Sequence, residues 1–113
     1  MTIPTLNVKF FRNELGKEPV REWLHELSQF DRKTIGDDIK TVQYGWPLGM
    51  PLVRKLKTQL WEVRIQLVSR TARVIFTVDD GTMVLLHGFV KKSQATPLDD
   101  LALAVARLKQ VRS

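Results

Sequence analysis

The chain has 113 residues, 43% of them hydrophobic, with three tryptophans and no cysteine. That length suits one domain, 1–113, with one modest core. It excludes disulfides, thiolate metal sites and a cysteine nucleophile. A net charge of +6 and a pI near 10 favour a polyanionic partner.

Thr5 to Arg12, "TLNVKFFR", alternates as a first strand with Leu6, Val8 and Phe10 on one face. Pro19 suits a first helical turn, and Val20, Trp23, Leu24, Leu27 and Phe30 recur at helical spacing. Asp31 is the expected N-cap of a second helix, stapled by Phe30 and Ile35, with Ile39 and Val42 continuing its stripe. Gly45 and Pro47 end that helix.

The second half reads as sheet. "LVRKLK" is a short strand or a strand entry. "LWEVRIQLV" sets Trp61, Val63 and Ile65 against Glu62, Arg64 and Gln66; "TARVIFTV" sets Ala72, Val74 and Phe76 against Arg73, Ile75 and Thr77. "DDGT" is a hairpin turn with Gly81 at positive φ. In "MVLLHGFVKK", Met83, Leu85, His87, Phe89 and Lys91 share one face unless a bulge at Gly88 shifts the register. Thr96 caps a last helix, Pro97 fills its first position, and Asp99 and Asp100 lie in its positive first turn. The expected class is α+β in the order βααβββα: a small, largely antiparallel sheet with two N-terminal helices and a C-terminal helix.

This pattern leaves cations on the non-core side. Arg64 and Arg73 come from adjacent strands joined by a short turn, so they are expected to be cross-strand neighbours or near-diagonal ones, with Glu62 partly neutralising them. Lys55, Lys57 and Lys91 are expected on the same face, with His87 and Phe89 beside them. The bland alternative is a solvated sheet surface. An aromatic ring among cations is what a phosphate-gripping, base-stacking surface needs. His25 lies opposite the apolar stripe of its helix and belongs to the surface. The acidic pairs Asp79–Asp80 and Asp99–Asp100 read as turn and helix-start residues, and no metal motif is visible. No apolar run approaches the roughly 20 residues of a membrane span, and no signal peptide is visible, so a cytoplasmic home and no membrane partner are expected.

"LWEVRI" (Leu60 to Ile65), "ARVIF" (Ala72 to Phe76) and above all "LLHGFVKKSQATP" (Leu85 to Pro97) with the terminal helix resemble the HigB branch of the RelE/ParE toxin superfamily, especially its phage-derived members. The resemblance implies a RelE-like fold and a ribosome-dependent mRNA endonuclease that works without a metal or other cofactor. It also implies a cognate helix-turn-helix antitoxin of the HigA type, with operator DNA bound only through that antitoxin. The family's basic positions are matched by Arg64, Arg73 and the Lys91–Lys92 pair, and more loosely by Lys55 and Lys57. Where many relatives carry a tyrosine, this sequence has Ala72, and the late tyrosine of some relatives has no counterpart between Gln94 and Pro97.

RNA cleavage of this kind needs a deprotonated 2′-hydroxyl, charge stabilisation at phosphorus and a protonated leaving oxygen. Arg64 and Arg73 are expected to supply the charge, because a guanidinium stays ionised and fits a phosphate bidentately. Lys91, His87 and Glu62 are the candidate proton carriers. Phe89 is expected to stack a base, and Arg54, Lys55, Lys57 and Lys92 to hold RNA phosphates. On this reading Arg73→Ala abolishes activity and leaves the fold intact. The alternatives are a ParE-like gyrase poison without nuclease activity and a non-catalytic nucleic-acid-binding module.

Overall fold

A computed structural model describes residues 3–91 and 96–112. Lys92 therefore lies outside the described residues. The element order is β1 (Asn7–Phe10), α1 (Pro19–Glu26), α2 (Gln29–Gly45), β2 (Val53–Lys57), β3 (Leu60–Gln66), β4 (Thr71–Asp79), β5 (Thr82–Lys91) and α3 (Leu98–Arg112). The class is the expected α+β. The segment read as a strand or strand entry is a full edge strand, β2. The sheet runs β1-β5-β4-β3-β2, with β1 parallel to β5 and every other pair antiparallel. Strand β1 is an exposed edge whose flanks, Leu6 and Phe11, carry its burial; Val8 is 41% exposed.

Local chemistry explains most boundaries. Pro19 occupies the start of α1, where its missing N–H costs nothing. The start of α2 differs from expectation: Ser28 is the N-cap and its hydroxyl accepts from the Asp31 amide at 3.1 Å. Phe30 therefore sits inside the first turn, 66% exposed, instead of stapling Ile35. At the β4–β5 hairpin, Asp80 and Gly81 take φ of 48° and 75°, the two-residue geometry an Asp-Gly pair favours.

The sheet is covered on both faces. On one side α1 and α2 pack Val20, Ile35, Ile39 and Val42 against Val63, Ile65, Ala72, Val74, Phe76, Met83 and Leu85. On the other, α3 packs Leu101, Ala104, Val105 and Leu108 against Phe11, Leu60, Ile75, Val84, Leu86 and Phe89. The second core corrects the expected open face. Among the described residues, Arg64, Gln66, Thr71 and Arg73 lie outside that cluster and line a hollow of their own.

A bulge in β5 reassigns its faces. Phe76 pairs with Leu85 and Ile75 with His87, so Leu86 is the extra residue. Met83 and Leu85 face the α1/α2 core, while Leu86, His87 and Phe89 face α3. Gly88 itself is paired regularly with Val74. Its requirement is steric: a Cβ there would lie 2.3 Å from Trp23 Cε3. The indole of α1 thus rests directly on the β5 backbone.

Candidate nucleic-acid and catalytic site

Arg64 and Arg73 stand directly opposite each other in the β3–β4 register, on the α3 side of the sheet. The extension of this register is Gln66 opposite Thr71 and Thr71 opposite Lys91. On the outer strand, Arg54 stands opposite Glu62. Side chains of paired residues point the same way, so Arg54, Glu62, Arg64, Arg73 and Lys91 share one face. Pro51, Arg64, Gln66, Thr71 and Arg73 line a hollow of about 330 Å³ there.

The two arginines are held differently. Arg73 is 3% exposed and its Nη1 donates to Glu62 Oε1 at 3.0 Å. Glu62 is fully buried, and its second oxygen accepts from the Thr96 hydroxyl at 2.9 Å. Arg73 Nε is buried with no partner among the described residues. Burial lowers the Arg73 pKa, the Glu62 carboxylate pulls it back up, and Arg64 and Arg54 lower it further. Arg64 is half-buried and makes a weak contact with Met50, Nη1 to Sδ at 3.5 Å. Arg73 is thus a fixed charge in the floor, and Arg64 is the adjustable one at the wall.

The Lys91 ammonium is pushed below its ordinary value, first by loss of water, then by the Arg73 guanidinium; Glu62 opposes this, and Arg64 and Arg54 add to it. We predict that reductively ¹³C-methylated protein will show a Lys91 resonance titrating below the unperturbed lysine value near 10.5. The double variant Arg54→Gln/Arg64→Gln should move that midpoint upward. A midpoint unmoved by both changes would mean that the cations are too well screened to act on it.

Several expected site residues stand elsewhere. Lys55 is opposite Trp61, so it projects on the α1/α2 side; the strict alternation of β2 up to the bulge between Lys55 and Lys57 dictates this. Lys57 is exposed on β2 beyond that bulge, opposite Leu60. Arg54, one position before Lys55, is opposite Glu62 and lies on the Arg64 face. Phe89 is 9% exposed within the α3 core, its ring stacked on His87 at 5.4 Å. That packing corrects the expectation of an open base-stacking ring.

His87 is tied to α3. Its Nε2 lies 2.5 Å from Asp100 Oδ1, and its Nδ1 is 3.4 Å from Arg107 Nη1. Since arginine only donates, Nδ1 is the acceptor and Nε2–H donates to Asp100. Arg107 also donates to the carbonyl of Leu86, the bulged residue, at 2.7 Å. Its guanidinium carbon sits 5.7 Å from the Phe11 ring centre, and burial lowers its pKa. His87 and Glu62 are both saturated by structural partners, so neither is a free base over the hollow.

Thr96, Asp100, Arg107, Gln66 and Thr71 were not site candidates in the sequence. Thr96 carried a misleading signal as a helix cap: α3 begins at Leu98, the Pro97 carbonyl accepts from the Leu101 amide, and the Thr96 hydroxyl goes to Glu62. Gln66 and Thr71 follow directly from the register once Arg64 and Arg73 are paired. A larger cavity, about 530 Å³, opens at the opposite edge beside Lys9, Arg12, Glu14, Glu18 and Asp79. Its mixed charges lack the one-sided field found at the hollow. No helix among the described residues is long and apolar enough to cross a membrane.

No curated protein matches the chain. The family model of phage-derived Gp49-like proteins (DUF891) matches residues 22–109, a span containing β2 to β5, most of α3 and every residue of the hollow. A small α+β domain with this cationic hollow thus belongs to the phage-derived Gp49-like family, a family associated with toxins of toxin–antitoxin systems.

Proposed function

We propose that the chain is the toxin of a type II toxin–antitoxin pair and acts as a ribosome-dependent mRNA endonuclease of the HigB type. The observation that carries this is the in-register Arg64–Arg73 pair beside Lys91 and Arg54, lining a hollow of about 330 Å³. Fixed guanidinium groups stabilise charge on a phosphoryl group without reorganising at the moment of reaction, an effect on the order of 3–4 kcal/mol per well-placed donor. Arg64 is free to tighten onto the non-bridging oxygens, and Arg73 holds the field from below. Lys91, with its lowered pKa, is the proton carrier best placed to assist the 2′-hydroxyl. Arg54 and Lys57 would hold flanking RNA from the β2 edge. Lys92 is assigned the same role from the sequence alone.

The partners on this reading are the ribosome with its mRNA and a HigA-like helix-turn-helix antitoxin. That antitoxin would present an acidic segment to a chain of net charge +6 and would mediate any contact with operator DNA. The site of action is the cytoplasm. One observation favours a second reading, a nucleic-acid-binding module that does not cut: Glu62 and His87 are both occupied by other groups.

Cleavage of a reporter mRNA in a translating extract separates these readings. Arg64→Gln should reduce cleavage on the order of 100-fold while leaving the thermal midpoint within about a degree of wild type, because Arg64 has no buried acid partner among the described residues. Cleavage at the wild-type rate by that variant removes the arginine pair from the chemistry. Salt-sensitive RNA binding without any cleavage by the wild-type chain selects the second reading, and inhibition of DNA supercoiling instead selects a gyrase poison.

A further inference from the structure

We propose that Met50 and Pro51 form a base platform, on which the nucleobase beside the phosphate held at Arg64 stacks. The assignment deepens the proposed function and rests on its reading of the hollow as an RNA site. Proteins that hold single strands combine a cationic groove for the backbone with a surface on which bases stack. The ring expected to supply that surface, Phe89, is 9% exposed within the α3 core. Among the described residues that line the hollow none is aromatic, and Pro51 is the apolar one. Met50 extends it: this residue is 59% exposed, and its Sδ lies 3.5 Å from Arg64 Nη1.

Isolated apolar residues are common on protein surfaces and need no function. Three features set this pair apart. The first is that the segment carrying them is fixed. The Val53 amide donates to the Gly49 carbonyl at 3.0 Å, and the Arg64 amide donates to the Leu52 carbonyl at 2.8 Å. Leu48 and Leu52, on either side, pack against the α1/α2 core. Two anchored leucines thus hold Met50 and Pro51 outward, and a base that lands on them has little chain to order. The second is chemistry. The proline ring is rigid, and a polarizable thioether attracts aromatic rings. Neither side chain carries a hydrogen-bond donor, so the platform accepts the face of any base and does not read its edge. The third is position. Arg64 has Arg73 as its strand neighbour and Met50 at its Nη1. A phosphate drawn to the two arginines therefore brings its base to the side where the thioether and the proline lie.

The test is fluorescence anisotropy with the purified full chain, without ribosomes, using a short labelled oligoribonucleotide protected by 2′-O-methyl groups. It is compared with an abasic strand of the same length, which keeps every phosphate and loses every base. The wild-type chain should bind the base-bearing strand about fivefold more tightly. Met50→Ser should bring that ratio to about twofold or less, and Met50→Leu, which keeps the apolar area, should restore it. Equal affinities of the wild-type chain for the two strands, or no binding of either, would overturn the platform. So would a loss in Met50→Ser shared equally by both strands, since the residue would then act on the phosphate through Arg64. A ratio as low in Met50→Leu as in Met50→Ser has the same consequence, because the sulfur alone would matter. A Met50-dependent base preference in a chain that cuts no reporter mRNA supports the platform and refutes the nuclease reading. A chain that cuts, and whose Met50→Ser variant keeps both the ratio and the cleavage rate, refutes the platform alone.

Discussion

Arg73→Ala should destabilise the protein by about 3–5 kcal/mol, because it strips a fully buried carboxylate of the guanidinium it is paired with. Domains of this size have roughly 5–15 kcal/mol in total, so the variant should lose much of its resistance to urea and unfold in part at growth temperature. This revises the expectation that the substitution would silence activity and leave the fold intact. Loss of growth arrest in the single variant is then uninformative about chemistry. The informative variant is Glu62→Gln/Arg73→Gln, which removes both charges and keeps hydrogen-bonding groups for Thr96. Urea melts should place it well above Arg73→Ala, with a coupling energy between the two positions above about 1 kcal/mol. It should remain inactive, since the floor of the hollow has lost its charge. Additive stabilities across the cycle would show that the pair is not coupled. A folded, active double variant would free Arg73 from any role in function.

Gly88→Ala should be the other large loss. The added methyl would sit 2.3 Å and 2.4 Å from Trp23 Cε3 and Cζ3, and the indole cannot yield without disturbing the packing of α1 on β5. Overpacking of this kind costs about 1–3 kcal/mol. For a chain near 100 residues each kcal/mol moves the thermal midpoint by roughly 4–8 °C, so the change is easily read by calorimetry. Trp23→Leu in the same chain should recover part of it by vacating the space over residue 88. A midpoint unchanged by Gly88→Ala would mean that the Trp23 ring swings aside freely, and that the close approach is not what demands glycine here. The consequence reaches the site, because β5 continues from Gly88 through Phe89 to Lys91.

The stretch "LLHGFVKK" shows how much of this was legible. That it forms a strand ending near the cationic face follows from its own alternation. Why it contains histidine, glycine and phenylalanine does not. Gly88 accommodates Trp23 from α1, Phe89 fills the core under α3, and His87 answers Asp100 and Arg107 on that helix. Each reason lies in a segment distant in sequence. The bulge at Leu86 was equally hidden, since its carbonyl is satisfied by Arg107 from α3.

What the sequence determined by itself is whatever depends on neighbours within a few residues. Strand alternation, the Asp80-Gly81 turn and the helix starts at Pro19 and before Leu98 are of this kind. The Arg64–Arg73 pairing was determined only in part: the short β3–β4 turn allowed an opposed or a near-diagonal pair, and the register sets them opposed. Tertiary structure alone decided which cations share a face, which acid neutralises which base, and which aromatic is buried. Lys55 was lost to the other side by one residue of alternation, and Arg54 was brought to Glu62. Glu62 became an anchor between Arg73 and Thr96 instead of a free base. The physical reason is common to all of them: a side chain's partner is set by where packing brings distant segments together, and a single strand's pattern carries no record of what will cover it.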